Sequence, residues 1–407
     1  MSYVFIADDF TGASDTLATL AKAGLRVRLF RDLPGVEDLK GLDVWGIATD
    51  ARSLGQADMV ALSARIGRGL RAFHPDFLHV KICSTFDSSA TTGNVAMLAQ
   101  GLAAELDIDA IAVLAGQPSL GRYCVFGTLF ARGPDGLVHR IDRHPVMSAH
   151  PVTPMQEADL SRHLDALGLH GLHLVPRGGA GAAFPRLYDL LDQGDVVQAG
   201  HDLAVAKRPL LVMGASSVAE AWLSAQPARP LSQVPPCAVT GPIFAFAGSR
   251  SSLTSAQVDA TTALSCLPVS ATEMVEDGES LLALRRHVLE RLEQGHDCLV
   301  HLVPDAAGRH IQPAVLAKRA GDFVHAICAS RGVGGLIVAG GDTSSAILNR
   351  LAPEWLDYAG GLCPGVPILR TCLQGRDLCL ALKGGQMGGL DFFDRAAAAL
   401  RGAADAT

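Results

Sequence analysis

The run from residue 3 to residue 15 constrains this chain most, because it joins an apolar stretch to a turn and then to a helical segment. Residues 3–6 are apolar and favour a β-strand, and the helical pattern begins shortly after Gly12. Three carboxylates fall at or just beyond the predicted end of this strand: Asp8, Asp9 and Asp15. Open α/β sheets bind their ligands outside the carboxyl ends of the strands. The run therefore predicts a ligand site at the end of the first strand.

The adjacent acids Asp8 and Asp9 allow two interpretations. One of them could simply cap the helix that follows. A cap does not explain the pair, because neighbouring carboxylates repel each other unless a cation, a ligand hydroxyl or a proton lies between them. We therefore favour a functional site.

Strand-like and helical segments alternate along the chain, which predicts the fold class. At 407 residues the chain is long for one hydrophobic core, so we expect two domains. Regular alternation is typical of an α/β protein in which each domain is a mostly parallel sheet flanked by helices. The predicted strands are 27–30, 44–48, 77–82, 108–114, 243–248, 298–303, 335–339 and 378–382. Segments 123–132 and 137–141, joined by the turn at 133–136, instead predict an antiparallel hairpin.

A cluster of prolines marks the predicted domain boundary. Five prolines stand close together with serine and glycine, and the helical periodicity stops there: Pro227, Pro230, Pro235, Pro236 and Pro242. We expect a first domain over residues 1–225, a linker over 226–242 and a second domain over 243–407.

Composition excludes several classes of protein. The chain is 49% hydrophobic and 18% charged, with a net charge of −7, which suits a packed cytoplasmic enzyme. Lysine and arginine do not cluster, so nucleic acid is not an expected partner. We find no membrane-spanning run and no signal peptide. The nine cysteines show no CxxC spacing, which argues against zinc, and their odd number favours reduced thiols.

Three glycine-containing loops in the second half follow predicted strands, at 247–254, 339–345 and 382–389. Glycine lets backbone amides approach an anion, and a helix N-terminus adds a favourable dipole. None matches the Walker or GxGxxG pattern, and each alone could be an ordinary tight turn. Because three occur in one domain, we interpret this half as nucleotide-binding. The candidate residues are Ser249, Ser251, Gly340, Gly341, Asp342, Thr343, Gly384 and Gly385.

Other strand ends in the first half carry groups suited to a polyhydroxylated, anionic ligand. Lys81 ends one strand and is followed closely by hydroxyl groups and an acid: Ser84, Thr85 and Asp87. Arg52 and Arg122 follow two further strands, and arginine can bind a carboxylate with two hydrogen bonds. An ordinary salt bridge for Lys81 and a solvated surface position for Arg52 are the alternatives.

Seven motifs, in order, resemble the four-carbon acid sugar kinase family. They are ADDFTGASD at 7–15, KICSTFDS at 81–88, Gly121 with Arg122, HPVTPM at 150–155, Gly248 and Ser249 with Thr254 and Gln257, GDTS at 341–344 and PGVP at 364–367. The second motif is most similar to the 3-oxo-tetronate kinase branch. The chain departs from the family at KGGQMG (383–388), where KSGNFG is usual, at Asp342, where Glu is usual, and at GASS (214–217), where a more glycine-rich pattern is usual.

This resemblance, which covers nearly the whole chain, implies ATP-dependent phosphorylation of a four-carbon sugar acid such as 3-oxo-tetronate, expected at the terminal hydroxyl. Threonate, erythronate and 3-oxo-isoapionate are alternative substrates. The first domain would bind the acid and the second ATP, with the active site in the interdomain cleft. Such transfer needs alignment and charge neutralisation, with Mg²⁺ bridging the phosphates.

The hypothesis gives each candidate residue a role. Asp9 or Asp8 would accept the proton of the attacking hydroxyl or orient it. Lys81 and Arg122 would hold the substrate carboxylate or offset charge on the phosphate. The further substrate-binding candidates are Thr11, Asp15, Arg52, Ser84, Thr85 and Asp87. The ligand of Mg²⁺ stays unassigned.

Two other classes are weighed against the kinase. An NAD-dependent oxidoreductase lacks support, because GxGxxG with an acid about 20 residues further on is absent. A non-catalytic sugar-acid sensor would have no need for the base that Asp8 and Asp9 offer. A homodimer is expected only from the general frequency of such assemblies.

Overall fold

Apolar runs of the sequence form the strands of two units, Met1–Ser232 and Gln233–Thr407. The computed structural model describes residues 2–150, 152–179, 183–230, 236–304, 311–330 and 333–402. Residues 231–235 of the predicted linker and Pro151 of the predicted 150–155 motif therefore lie outside the described residues. The predicted domain boundaries stay predictions.

The N-terminal unit contains eleven strands and six helices within its described residues. The strands are β1 Tyr3–Ala7, β2 Val27–Phe30, β3 Val44–Ala48, β4 Phe77–Lys81, β5 Ala110–Ala115, β6 Arg122–Val125, β7 Thr128–Arg132, β8 Val138–Arg140, β9 His173–Val175, β10 Arg186–Asp189 and β11 Leu210–Gly214. The helices are α1 Phe10–Lys22, α2 Gln56–Leu70, α3 Val95–Glu105, α4 Leu160–Ala166, α5 Gln193–Ala204 and α6 Ser217–Ser224.

Eight of these strands form a parallel sheet in the order β2-β3-β1-β4-β11-β5-β10-β9. All five residues of β1 are buried, as expected for a central strand covered on both faces. β3 and β4 flank β1 in matching register, with Ala7 opposite both Ala48 and Lys81. The segments that follow these three strands therefore begin side by side.

The predicted hairpin is a three-stranded antiparallel sheet, β6-β7-β8, so the prediction of one long arm over 123–132 was wrong. A turn at Phe126 and Gly127 divides that arm, and both residues have positive φ, 51° and 72°. Two central residues of positive φ match the right-handed twist of a tight hairpin. Phe126 occupies the first of these two positions, and phenylalanine is not a residue that predicts a turn there.

The C-terminal unit contains seven strands and six helices within its described residues. The strands are β12 Ile243–Ala247, β13 Ser265–Ser270, β14 Cys298–Val303, β15 Gly335–Ala339, β16 Trp355–Cys363, β17 Val366–Leu373 and β18 Arg376–Lys383. The helices are α7 Ser252–Ala260, α8 Ala271–Glu276, α9 Glu279–Glu293, α10 Pro313–Cys328, α11 Gly341–Leu351 and α12 Phe392–Leu400.

The sheet of the C-terminal unit has the order β13-β14-β12-β15-β18-β17-β16. Its first five strands are parallel, and β17 is antiparallel to both of its neighbours, β18 and β16. Buried side chains from several elements form its core, among them Ala245, Ile337, Ala381 and Phe393. The strands β12, β15 and β18 are neighbours, so their carboxyl ends lie at one edge of the sheet.

Cys237 and Cys379 form a disulfide, so the prediction of wholly reduced thiols was wrong. The two residues are 142 positions apart, and no spacing rule in the sequence connects them. Folding brings the segment before β12 against β18. In the part of the chain that the structure describes, no helix has the length and apolarity needed to span a membrane.

Candidate active site

The carboxyl ends of β3, β1 and β4 bring four of the candidate residues into one region. Asp8 and Asp9 follow β1, and Lys81 is the last residue of β4. Arg52 lies in a short 3₁₀ turn, Ala51–Ser53, after β3, and its backbone N–H donates to the Asp8 carbonyl at 3.1 Å. The parallel register of the three strands thus positions these side chains.

The Arg52 guanidinium bridges the two adjacent acids. Its Nε and Nη2 donate to the Asp8 carboxylate at 3.0–3.2 Å, and its Nη1 lies 2.9 Å from Asp9 Oδ2. Asp9 is also the N-cap of α1, because its Oδ1 accepts from the Gly12 N–H at 2.7 Å. The capping interpretation is therefore correct for Asp9, and a cation resolves the repulsion within the pair.

Burial raises the pKa of Asp8 to about 6, and the Arg52 guanidinium opposes that rise. The charge of Asp9 adds to the rise. A carboxylate of raised pKa is a stronger proton acceptor than an exposed one, and it is still mostly ionised at pH 7.

The Lys81 ammonium lies against the first turn of α1. Lys81 is buried, and its Nζ donates to the Ile82 carbonyl at 2.8 Å. A Cβ added to Gly12 would stand 2.5 Å from Lys81 Nζ and 2.7 Å from Asp9 Oδ1. Only glycine therefore lets the ammonium and the carboxylate approach this turn together.

A second cluster lies in the loop after β4. Thr85 donates its hydroxyl proton to Asp87 Oδ1 at 2.5 Å, and Thr153 donates to Asp87 Oδ2 at 3.2 Å. Cys83 Sγ lies 2.9 Å from Thr85 Oγ1, so the thiol is left as the donor of that contact. Burial raises the pKa of the Cys83 thiol, and the nearby Asp87 carboxylate adds to it. Ser84, in the same loop, is half-buried.

The remaining candidates of this unit line the loop after β5 and the first turns of α1. Gln117 Nε2 lies 3.5 Å from Asp15 Oδ2, and Arg122 Nη1 donates to the Leu120 carbonyl at 2.5 Å. Two buried polar atoms, Thr11 Oγ1 and Arg122 Nε, have no hydrogen-bond partner among the described residues. Buried polar atoms without a partner are rare, so these two are suited to a polar ligand.

Loops after β12, β15 and β18 form the second candidate site, in the C-terminal unit. The Ser251 side chain caps α7 by accepting from the Thr254 N–H, and its hydroxyl donates to the Gly385 carbonyl at 2.6 Å. A Cβ on Gly385 would meet Ser249 Oγ at 2.5 Å. The serine loop and the glycine loop are therefore packed directly against each other.

The loop after β15 has the backbone geometry expected of an anion site. Gly340 has a φ of 128°, and a Cβ there would lie 3.1 Å from the Ser249 N–H nitrogen and from Thr343 Oγ1. A Cβ on Gly341, the first residue of α11, would meet nothing within 4 Å. Open space before backbone amides at a helix N-terminus suits a phosphate. Asp342 is exposed in the same turn.

Several residues of the two regions were not assigned a role from the sequence. Thr153 completes the Asp87 cluster from a distant segment, and Gln117 contacts Asp15 from the loop after β5. Gln257 donates to the carbonyls of Met387, Gly388 and Gly389, which secures the glycine loop after β18. Lys383 ends β18 with its side chain buried. A lysine directly after an apolar strand was the signal available for Lys383.

Comparison with known proteins defines the class first. A family described as a sugar-binding N-terminal domain matches residues 3–222, and one described as a nucleotide-binding C-terminal domain matches residues 244–393. Haemophilus influenzae protein HI1011 has a similar crystal structure, with a TM-score of 0.72 and 25% identity over 98% of this chain and 100% of that one. A crystal structure from Salmonella typhimurium LT2, 24% identical, shares the fold with a TM-score of 0.78 over 97% of this chain and 98% of that one.

Curated relatives then identify the family. A 3-oxo-tetronate kinase of Methylobacterium radiotolerans is 32% identical over 96% of this chain and 97% of its own length. One of Cupriavidus necator is 32% identical over 98% and 96%, respectively. A 3-oxo-isoapionate kinase of Paraburkholderia graminis is 29% identical over 96% and 92%. The chain belongs to the four-carbon acid sugar kinase family, as its motifs predicted.

Proposed function

We propose that this protein is an ATP-dependent kinase that phosphorylates a hydroxyl, expected to be the terminal one, of a four-carbon sugar acid such as 3-oxo-tetronate. The observation that carries the proposal is the grouping of Asp8, Asp9, Arg52 and Lys81 at the ends of three adjacent strands. A carboxylate can take a proton from a hydroxyl, and a cation fixed beside it can bind an anionic substrate.

The N-terminal unit supplies the groups that would handle the acid. Asp9 or Asp8 accepts the proton of the attacking hydroxyl. Arg52 opposes the rise in the pKa of Asp8 that burial causes, and it holds both carboxylates in place. Lys81 and Arg122 offset the negative charge of the substrate carboxylate or of the phosphoryl group. Thr11 Oγ1 and Arg122 Nε offer buried hydrogen-bonding capacity to a polyol acid.

The C-terminal unit supplies the groups that would hold ATP. Backbone amides near Gly340 and Gly341 and the hydroxyl of Ser249 are donors suited to phosphate oxygens. The Ser251 hydroxyl donates to the Gly385 carbonyl, so Ser251 would offer its backbone and hold the loop in place. Magnesium in phosphoryl-transfer sites is usually bound by one or two carboxylates together with the phosphates. Asp342, an exposed carboxylate in the first turn of α11, fits that requirement and would hold Mg²⁺, which neutralises phosphate charge when it is bound. The placement of the chemistry in a cleft between the domains stays a prediction.

The identity of the acid is proposed from the relatives and from the KICSTFDS motif. Both 3-oxo-tetronate kinases and a 3-oxo-isoapionate kinase are similar to this chain over nearly its full length. 3-Oxo-isoapionate is therefore the second candidate, ahead of threonate and erythronate.

Coupled ADP release tests the proposal. The purified full-length protein is mixed with ATP and Mg²⁺ and with each of five acids: 3-oxo-tetronate, 3-oxo-isoapionate, D-threonate, L-threonate and D-erythronate. We expect selective turnover of a 3-oxo acid. ATP binding without turnover of any acid would refute the substrate assignment, and the absence of ATP binding would refute the kinase itself. Reduction of NAD with one of these acids would instead favour the oxidoreductase.

A further inference from the structure

The last residue of β18, Lys383, carries its positive charge inside the C-terminal unit. Its side chain is 0% exposed. The partners of its ammonium within the described chain are neutral: Thr254 Oγ1 at 3.0 Å, the Gly384 carbonyl at 3.2 Å and the Phe392 ring, with its centroid at 5.3 Å. Burying an ammonium without a carboxylate partner is unfavourable, so this charge requires a reason.

The contacts of Lys383 join two of the three candidate phosphate loops. Thr254, in the first turn of α7, accepts a hydrogen bond from the Lys383 ammonium. Its hydroxyl in turn donates a hydrogen bond to the Gly385 carbonyl at 3.1 Å. The Ser251 hydroxyl donates to the same carbonyl at 2.6 Å. The ammonium therefore fastens residues 384–385 to the N-terminus of α7.

We propose that Lys383 is a positioning residue of the nucleotide site, and that its buried ammonium strengthens the binding of the nucleotide phosphates held by the neighbouring loops. The inference rests on the proposed function, because it deepens the role of the same loops. Lys383 acts through position and charge, since its buried side chain leaves contact with the phosphates to Ser249 and the backbone amides. A buried charge is weakly screened, so it attracts an anion more strongly than a surface lysine would.

The protonation of Lys383 gives this role a distinct signature. Burial lowers the pKa of Lys383 to about 8, and a negative charge on the nearby Cys363 sulfur opposes that shift. Its other neighbours in the described chain do not titrate: Thr254 from α7, Phe392 from α12 and the Gly384 carbonyl. A bound anion favours the charged form, so nucleotide binding raises this pKa. By linkage, nucleotide affinity is highest below pH 8 and falls as the pH rises through that value.

Titration calorimetry with AMP-PNP, a non-hydrolysable ATP analogue, and Mg²⁺ tests the inference on the full chain. We expect Lys383→Met to weaken AMP-PNP binding about tenfold or more at pH 7, which corresponds to a change of about one unit in the linked pKa. The matched control is Lys318→Met, which removes an exposed lysine of α10 and should change the affinity less than about twofold.

The pH dependence separates charge from packing. We expect wild-type affinity to fall about tenfold between pH 7 and pH 9.5, with no such fall for Lys383→Met or for Lys383→Gln, which keeps a donor for Thr254. The melting temperature of each variant reports whether the C-terminal unit, which contains Lys383, is folded. Wild-type-like affinity at pH 7 in both variants, or an unchanged pH dependence, overturns the inference.

A measurement on the wild-type protein alone covers the case in which the variants do not fold. Calorimetry at pH 8.5 in two buffers of different ionisation enthalpy should show net proton uptake when AMP-PNP binds. Proton release, or no exchange, contradicts the role of Lys383. If the wild-type protein binds no nucleotide at all, the proposed function fails; if it binds nucleotide without these effects, only the inference about Lys383 fails.

Discussion

At the scale of single residues, the Asp8–Asp9 pair shows how a site can hold two like charges. Arg52 contacts both carboxylates, and it is the second residue of the short turn, Ala51–Ser53, that follows a neighbouring strand. Asp8, Asp9 and Arg52 thus form a cluster of three charged groups, with a net charge of −1 when all three are ionised. The two acidic side chains differ in access, since Asp8 is 3% exposed and Asp9 is 11% exposed.

The greater access of Asp9 leads us to expect that it accepts the substrate proton. Asn caps helices about as well as Asp, so Asp9→Asn should keep α1 and the fold. We expect its kcat to fall about 10²–10⁴-fold, the usual contribution of a general base, with a smaller change in KM. Steady-state kinetics with the preferred acid provides the measurement.

Asp8→Asn is the comparison for this experiment. Turnover near the wild-type level in Asp9→Asn would remove Asp9 from the role of base. Equal losses in the two variants would assign the effect to the charge of the pair rather than to proton transfer by one member.

Arg52→Gln should move the acid limb of the pH–rate profile upward. With Arg52 present, the pKa of Asp8 is about 6, so kcat/KM should be full well above pH 6, half-maximal near it and lower still at more acidic pH, because the pair must be ionised. The guanidinium lowers the pKa of Asp8, so its removal raises that pKa and the fall begins at a higher pH. Removing one partner of a buried ion pair should also cost about 3–5 kcal/mol of the free energy of unfolding.

Arg65→Gln is the matched control, because Arg65 pairs with Asp32 at the surface, where both side chains are at least 50% exposed. Its cost should stay below about 1 kcal/mol. An acid limb that does not move in Arg52→Gln would show that the Asp8 carboxylate does not govern the low-pH activity.

The sequence predicted which residues belong to the site better than it predicted which of their side chains contact each other. Asp8, Asp9 and Lys81 could be predicted because charged residues directly after apolar strands stand out against an interior. That Arg52 bridges the acids depends on β3 lying beside β1, which no local pattern contains. Thr153 reaches Asp87 from 66 positions away, and contacts of that separation follow only from the tertiary fold.

At the scale of elements, the loop between β15 and α11 contains two glycines with different constraints. Gly340 needs a positive φ, which other residues adopt only with strain, and a Cβ there would crowd Ser249 and Thr343. Gly341 opens a helix, and a Cβ there faces open space. The first glycine therefore shapes the loop, and the second leaves room in front of it.

Alanine at these two positions should separate folding from nucleotide binding. Gly340→Ala should lower the free energy of unfolding by more than about 1 kcal/mol. Gly341→Ala should leave the melting temperature nearly unchanged, because alanine suits a helix, yet weaken ATP binding about tenfold by occupying the space of a phosphate. Thermal unfolding and calorimetry measure the two effects, with sugar-acid binding as the control. ATP affinity of the wild-type level in Gly341→Ala would show that phosphate does not lie there.

Element positions followed from the sequence where burial is continuous. β3 and β15 occupy the predicted residues, because uninterrupted apolar runs bounded by turns identify strands buried on both faces. Elements of mixed burial were less evident. β16 and β17 contain exposed and half-buried positions and were not predicted, and the Phe126–Gly127 turn has Phe at its first central position, where Asn, Asp or Gly is usual.

At the scale of the whole molecule, the two units begin with the same strand order. The first four strands run β2-β3-β1-β4 in one unit and β13-β14-β12-β15 in the other, so each unit begins with its first strand central between its third and fourth. The candidate site of the N-terminal unit lies after that central strand and its two neighbours, whereas the candidate site of the C-terminal unit lies after β12, its neighbour β15 and the next strand, β18. The residues differ as well, because two adjacent acids follow β1, whereas serine and glycine follow β12.

This division predicts which segments each ligand protects in amide hydrogen exchange on the full-length protein. AMP-PNP with Mg²⁺ should slow exchange at residues 248–252, 340–344 and 384–388, because bound anions hold the backbone amides that line them. The preferred sugar acid should slow exchange at residues 8–12, 50–53 and 82–88 instead. The helix Gln193–Ala204, which carries none of the candidate residues, serves as the internal reference for both ligands. Protection of 340–344 by the acid alone, or of 8–12 by the nucleotide alone, would reverse the assignment of ligands to units, because each set of amides would then be holding the other substrate.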